Sequence, residues 1–514
     1  MIRNRSINRL QLAILTILAF LVICSATWAT TYYASPAGGG DGRSQSSPFK
    51  INNFWGVASP GDTLYLLDGT YTDSNSMIRP PSGVDGTSGN PITVRALNAG
   101  LALISGTTTG TPVYLTQNDY INLEDFNAHS ADKDATSQGR VVHIRNSSYV
   151  NVRRVIAWDG DPSGNGYIFH AGSASHVLFE DCAGWGTARK IFANYQADNI
   201  TYRRCFFRWT GQNNQNPFCI GLTFGYRSTN VIAENCVGTW DETGRNNTGL
   251  MKHAIFAADE TYANGGYKVL GNIAYSLKTQ SGSPVRIFST HSNPEINPNS
   301  GFVVTNNIAY SDRGDSYTFD FPYSTATISY FTSIGGAYSQ TAMRVDKQTG
   351  TVDYVIQQNS SSGGVGATAS DYDYIMFYNN SGANYTGGAM DHFATDTDPD
   401  LIGKCGNILQ YGLAEADRPK VNGQSVGAKI QYRYVDGVLT YEPLWPWPMN
   451  ERIQSAMIQS GYDGKGGLDG KGGIDLTKTI FELGGGTMPS HFESSSTFGS
   501  ESEAPDPPQN LTIQ

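Results

Sequence analysis

The chain has 514 residues, a formal net charge of −10 and only 16% charged residues. That length calls for several domains or one long solenoid, and the acidic balance argues against a general nucleic-acid binder. With 58 Gly, 29 Tyr, 22 Phe and 22 Pro, the composition favours β-structure rich in turns and argues against a helical bundle.

Residues 1–29 read as a secretory signal peptide: Arg3, Arg5 and Arg9 precede a mainly apolar stretch from Leu12 to Ile23, and small residues end at Ala29. The expected location is secreted, periplasmic or extracellular, with a mature chain beginning near Thr30. Cys24 is not read as a lipid anchor, because Ile23 stands where lipoprotein signals want Gly, Ala or Ser. No later stretch approaches the roughly 20 apolar residues of a membrane span.

Residues 30–110 are expected to form an N-terminal cap and the first coils. The mature start runs TYYASPAGGGDGRSQSSPFKINNFW, then SPGDTLYLLDGTYTD, then GTSGNPITVRALNAG, with a capping turn or helix over residues 48–58. The Gly-Asp-Thr strand, the D-G-T-Y turn and the P-I-T-V strand resemble the opening of the pectate-lyase-like right-handed parallel β-helix superfamily. Over about 75 residues the segment is also similar to the start of the chondroitinase-B and alginate-lyase group. The resemblance implies a polysaccharide-active β-helix whose first-strand groove takes the glycan.

Residues 111–400 carry an internal repeat. VNVRRVIAW ends at Trp158, HVLFEDCAGW at Trp185, NITYRRCFFRW at Trp209, NVIAENCVGTW at Trp240, YKVLGNIAY at Tyr275 and FVVTNNIAY at Tyr310. Taking Val150, Val177, Ile200, Val231, Lys268 and Val303 as equivalent gives one solenoid coil per unit with loops of variable length. Asp181, Arg204, Asn235, Asn272 and Asn307 take the bend, followed by Cys182, Cys205, Cys236, Ile273 and Ile308. Five cysteines remain after the signal, an odd number, and the recurrence of Cys182, Cys205 and Cys236 predicts stacked core thiols rather than disulfides. Trp158, Trp185, Trp209 and Trp240 are read as a packing ladder.

Another apolar strand lies upstream of each run: VVHI at 141, YIFH at 167, KIFA at 190, LTF at 222, HAIFA at 253, VRIF at 285, YTFDF at 317 and MRVD at 343. Three strands per coil predict an all-β, single-solenoid, right-handed parallel β-helix. Propeller blades of about 40–50 residues fit these uneven units poorly. Residues 401–490, with the Trp/Pro cluster of YRYVDGVLTYEPLWPWPMN and an amphipathic helix, are expected to cap the last coils; 491–514 read as a flexible tail. The near-duplicate DGKGGLDGKGGID at 463–475 reads as a Gly-rich loop.

The first strands concentrate cations: Arg140, His143, Arg145, His170, Arg189, Lys190, Lys252, His253, Arg286, His291 and Arg344, against Asp320 and Asp346. Such a line matches the repeating charge of an acidic, uronate-containing polysaccharide. Lyases of the resembled superfamily remove the proton alpha to the carboxylate with a basic residue while a cation stabilises the developing charge. Lys190 or Lys252 is then a candidate base and Arg189 or Arg286 a neutraliser, with His253 a further catalytic candidate and His143, His170 and Arg344 binding substrate. Asp159, Asp161, Glu180 and Asp181 form the best oxygen cluster for Ca2+, and TDTDPD, with Asp396, Asp398 and Asp400, a weaker one. The Asn, paired Glu, Lys and Arg arrangement of the chondroitinase-B group is absent, as is the D-P-H-D motif of alginate epimerases. A hydrolase would have to use Asp320 with Asp346. The competing class is a non-catalytic extracellular β-helix that binds glycans or serves an adhesive role. A monomer is expected.

Overall fold

The computed structural model describes residues 29–106, 110–130, 139–161, 166–211, 219–225, 227–241, 254–258, 265–277, 286–290, 302–313, 317–321, 326–336, 341–345, 351–361, 363–367, 371–382, 384–386, 393–462 and 472–495. Short runs rich in Val, Ile, Phe and Tyr alternate with sharp bends, and each run pairs in parallel with the run one repeat away. Arg140–Arg145 lies beside Tyr167–Gly172, Ser148–Arg153 beside Ser175–Glu180, and Ile156–Trp158 beside Ala183–Thr187. One coil therefore contributes three strands. Among the described residues the first strands form an 11-stranded parallel sheet, and the second and third strands together form a 24-stranded one. The fold is an all-β, right-handed parallel β-helix with a covered N-terminus and a C-terminal capping region. At the N-terminus Ile51 and Phe54, on a short helix over Ile51–Phe54, are fully buried.

The eight upstream strands expected from the sequence all lie in the first-strand sheet. Their inward column runs Val113, Val142, Phe169, Phe192, Leu222, Phe256, Phe288, Phe319, Met343 through successive pairings. Each of these is at most 1% exposed. At roughly 1.5–3 kcal/mol per large apolar side chain, this column is a main source of stability.

Register in the second strands departs from expectation after Val231. Val150, Val177, Ile200 and Val231 stack as predicted, but Ile232, not Val231, lies opposite Lys268. Tyr267 and Phe302 therefore continue the inward column, while Lys268 and Val303 face solvent. The pleat has a period of two, so a one-residue slip would have buried the lysine. The bends shift likewise. Asp181, Arg204 and Asn235 take left-handed backbone at φ of 54°, 49° and 51°, but the later bends fall on Gly271 and Asn306. Arg204 holds this unusual conformation with its guanidinium clamped on Asp181 at 2.7 and 2.8 Å.

Asn272 and Asn307 instead continue the cysteine column. The thiols of Cys182, Cys205 and Cys236 point at the carbonyls of Val152, Phe179 and Tyr202, 3.3–3.4 Å away. The amides of Asn272 and Asn307 donate to Ala233 O and Val269 O at 2.9 and 2.8 Å. Cys182, Cys205, Cys219 and Cys236 are all free and buried, as stacked core thiols require.

The two faces of the large sheet are closed differently. Outside the second strands, Arg95, Glu124, Arg153, Glu180, Arg203 and Glu234 occupy one column with alternating sign, so each of the four inner charges has opposite charges on both neighbouring strands. Outside the third strands the column is apolar: Ile156, Ala183, Phe206, Val237, Ile273, Ile308. A solvated apolar stripe of this length would be an association surface. The C-terminal region covers it, burying Leu444, Trp445, Trp447, Ile453 and Met457 against it.

This corrects the expectation of a cap on the last coils alone. The region runs back along the flank, antiparallel to the growth of the solenoid. Gly427 N donates to Tyr354 O, Ala428 N to Thr332 Oγ1, Lys429 N to Asn306 Oδ1, Tyr434 N to Asn235 Oδ1, and Gly437 N to Glu234 Oε2. Arg452 then reaches Asp125 O. The tryptophans also divide. Trp158 and Trp185 stack under the strap, with Trp185 Nε1 donating to Ser460 Oγ at 3.1 Å, whereas Trp209 and Trp240 stack in the solenoid interior. Trp185 pairs with Arg208, not Trp209, which turns the later pair inward.

Candidate functional site

In RVVHIR (140–145), Val142 and Ile144 are fully buried in the core, which leaves Arg140, His143 and Arg145 for the outer face of the first-strand sheet. Register then stacks like residues. Tyr114, His143 and His170 occupy one column, and Arg140, Tyr167 and Lys190 the next. The rings of Tyr114 and His143 lie 4.9 Å apart, His143 and His170 4.9 Å, and Tyr167 and His170 4.6 Å. The Arg140 guanidinium sits 5.3 Å from the Tyr167 ring centroid. Gly172 makes room for the imidazole, since a Cβ there would fall 2.8 Å from His170 Cε1.

His143, His170 and Lys190 are 6%, 5% and 4% exposed. Burial, then the charges of Arg140 and Arg145, push His143 down to about 3. His170 is driven well below the ordinary imidazole range by burial and by its neighbours His143, Arg140, Lys190 and Arg145. Both imidazoles are therefore neutral at physiological pH, inside a ring of fixed cations. Among the described residues the buried Nδ1 atom of His170 has no hydrogen-bond partner. A group carrying negative charge would find opposed charge and hydrogen-bonding capacity here, among side chains with little solvent exposure.

The structure brings together Arg140, His143, Arg145, His170 and Lys190, with Arg189 on the bend just before the Lys190–Tyr195 strand. Arg286 shares the Lys190 column further along but is committed to Asp320, with Nε 2.8 Å from Oδ2 of a fully buried carboxylate. Between them Ile220, Ala254 and Ala257 make a small apolar patch. The backbone of Arg344 pairs with that of Asp320. Lys252, His253, His291 and Asp346 lie outside the described residues. Tyr114 and Tyr167 were not anticipated as partners; only strand register places them beside the histidines.

The proposed calcium cluster is not assembled. Asp159 Oδ1 accepts from Thr187 N at 3.2 Å, Thr187 Oγ1 at 3.3 Å and the Tyr462 hydroxyl, on the flank under the strap. Asp161 Oδ2 accepts from Gly139 N at 3.3 Å. Glu180 and Asp181 are taken by arginines: Glu180 by Arg153, Arg203 and Arg204, and Asp181 by Arg204. Charge pairing in the second-strand column and at the neighbouring bends thus engages Glu180 and Asp181. Among the described residues no three His, Cys, Asp or Glu side chains converge on one point. A cavity of about 520 Å³ between the third strands and the C-terminal region, lined by Tyr310, Asp312, Arg313, Gln358 and Gly484, contains none of the clustered cations.

No family model matches the chain, and no curated protein matches it. Solved structures do. The crystal structure of alginate lyase from Paenibacillus sp. str. FPU-7 is 17% identical, over 70% of this chain and 98% of that one, with a TM-score of 0.34. PfbA, a surface adhesin of Streptococcus pneumoniae, is 12% identical over 69% and 93%, with a TM-score of 0.43. A GH136 lacto-N-biosidase from Eubacterium ramulus is 12% identical over 71% and 67%, with a TM-score of 0.36. These similarities concern the parallel β-helix fold alone. The fold rests on the chain's own strand pairing, and neighbours as different as a lyase, an adhesin and a glycosidase transfer no activity to it. No helix among the described residues is long and apolar enough to cross a membrane.

Proposed function

We propose that the chain is a secreted, monomeric, glycan-active β-helix that binds an acidic, uronate-containing polysaccharide on the outer face of its first strands and cleaves it by β-elimination. The observation that supports this reading is the clustering of Arg140, Arg145 and Lys190 around His143 and His170, flanked by Tyr114 and Tyr167, in a chain of net charge −10. The cations would hold the carboxylate and stabilise the charge that develops on it when the alpha proton leaves. The tyrosines would offer ring surface to the sugars. Lys190 is one candidate base and Arg189, its neighbour in the chain, a candidate neutraliser.

The test is incubation of the purified protein with pectate, alginate and glycosaminoglycans, with and without calcium, reading the ultraviolet absorbance of the unsaturated product. Product from one polyuronate supports the reading, and the calcium arm decides whether the metal takes part. A second reading, a non-catalytic glycan-binding β-helix, is favoured by the Arg286–Asp320 pair, which neutralises one of the candidate cations of the face. Binding on a glycan array without product from any substrate would establish it.

A further inference from the structure

We propose that His170 is the proton-transfer residue of this face, accepting the proton alpha to the uronate carboxylate; the inference rests on the β-elimination reading above. Three features of its geometry set it apart from the lysine and arginines. Its ring is held between His143 at 4.9 Å and Tyr167 at 4.6 Å, so its orientation is fixed before any ligand arrives. Gly172 is needed for this placement, because a Cβ there would fall 2.8 Å from Cε1 of the imidazole that occupies the space. Its Nδ1 is buried without a hydrogen-bond partner among the described residues.

The described charged and titratable groups around it are Arg140, His143 and Arg145 on the preceding strand, Tyr167 on its own, and Lys190 on the next. They keep the imidazole neutral and able to accept a proton, and they are the groups a substrate carboxylate would engage. Once that carboxylate sits against Lys190 and Arg140, their hold on the imidazole weakens and its proton affinity rises. In the step, the C5–H bond breaks and its proton passes to the imidazole. The electron pair forms the C4–C5 double bond as the C4–O bond breaks, and the leaving oxygen takes the proton back from the imidazolium. His170 returns neutral, and no other reactant is consumed.

The experiment measures unsaturated-product formation by the full chain, His170→Gly and Lys190→Ala on the polyuronate that the wild type cleaves, with and without added imidazole. The expected result is a loss of about 10²–10⁴-fold in His170→Gly, partly restored by imidazole, with a thermal midpoint close to that of the wild type. Should His170→Gly fail to fold, His170→Gln is read for the same loss. Product formation by the variant within threefold of the wild type, or a folded variant that imidazole never restores, overturns the assignment while leaving β-elimination intact. Absence of product from the wild type on every substrate overturns both.

Discussion

Glu234 is fully buried, and it ties the solenoid to its strap. Its carboxylate accepts from Arg203 Nε at 2.6 Å, from Gly437 N at 2.8 Å and from Asp436 N at 3.1 Å. Hydrogen bonds to charged groups contribute about 1.5–3 kcal/mol each, which would suggest a loss of more than 5 kcal/mol for Glu234→Ala. Arg203, however, keeps Glu180 at 3.2 Å and the Asp436 carboxylate. Its charge is not left unpaired, and the expected cost is about 3–5 kcal/mol. Glu234→Gln preserves an acceptor for the two backbone N–H groups and loses the charge, for about 1–3 kcal/mol. Asp436→Ala is the control: this side chain is 63% exposed, so about 0–1 kcal/mol is expected. Urea unfolding followed by tryptophan fluorescence measures the series, and limited proteolysis reports whether residues 432–443 loosen. A Glu234→Ala protein within about 0.5 kcal/mol of wild type and equally protease-resistant would refute the view that this buried network anchors the strap.

Three other perturbations probe the same architecture. Partial burial opposes the charge of Glu180, but Arg204, Arg203 and Arg153 prevail and hold it down to about 2 from an ordinary 4.5. A depressed pKa means its stabilisation, about 3 kcal/mol from the size of the shift, is full above pH 4.5 and is lost as pH falls toward 2; acid titration of stability should be flatter in that window for Glu180→Gln. Asn235, at φ 51°, accepts from Tyr434 N, so Asn235→Gly should cost about 1 kcal/mol through the lost bond while Asn235→Ala adds left-handed strain of a further 1 kcal/mol, both read in urea. Burial raises the Cys182 and Cys205 thiols well above their usual range, so native protein should leave both unmodified by a thiol reagent that labels them readily in denaturant.

Much of the fold is written locally. The recurrence of VLFEDC, TYRRC and IAENC fixes coil length, and the eight upstream apolar runs fix the first-strand sheet, because a pleat of period two and a bend that tolerates left-handed backbone are properties of short segments. The bend at Arg204 shows the limit: nothing in the residue itself favours φ of 49°, and it is the Asp181 carboxylate on the neighbouring coil that holds it there. The slip that turns Lys268 outward is decided in the same way, by burial across coils.

The candidate site divides along that line. The cations of the first strands were legible as a set, since register follows from the repeat. Their grouping was not: Lys190 joins His143 and His170, Arg286 is spent on Asp320, and Tyr114 and Tyr167 enter as ring partners, chiefly through side-chain contacts between strands of neighbouring coils. The acidic residues near 160 and 180 looked like a metal cluster because sequence places them one coil apart. Opposite charges on the adjoining strands claimed Glu180 and Asp181, and a strap from more than 250 residues downstream drew Asp159 to Tyr462. Sequence alone determined the secreted β-helix expectation, the coil and the cation-rich strands, because each is carried by local periodicity. Only tertiary structure decided which charges pair, which remain clustered and which face is covered, because those outcomes depend on neighbours that no local pattern specifies.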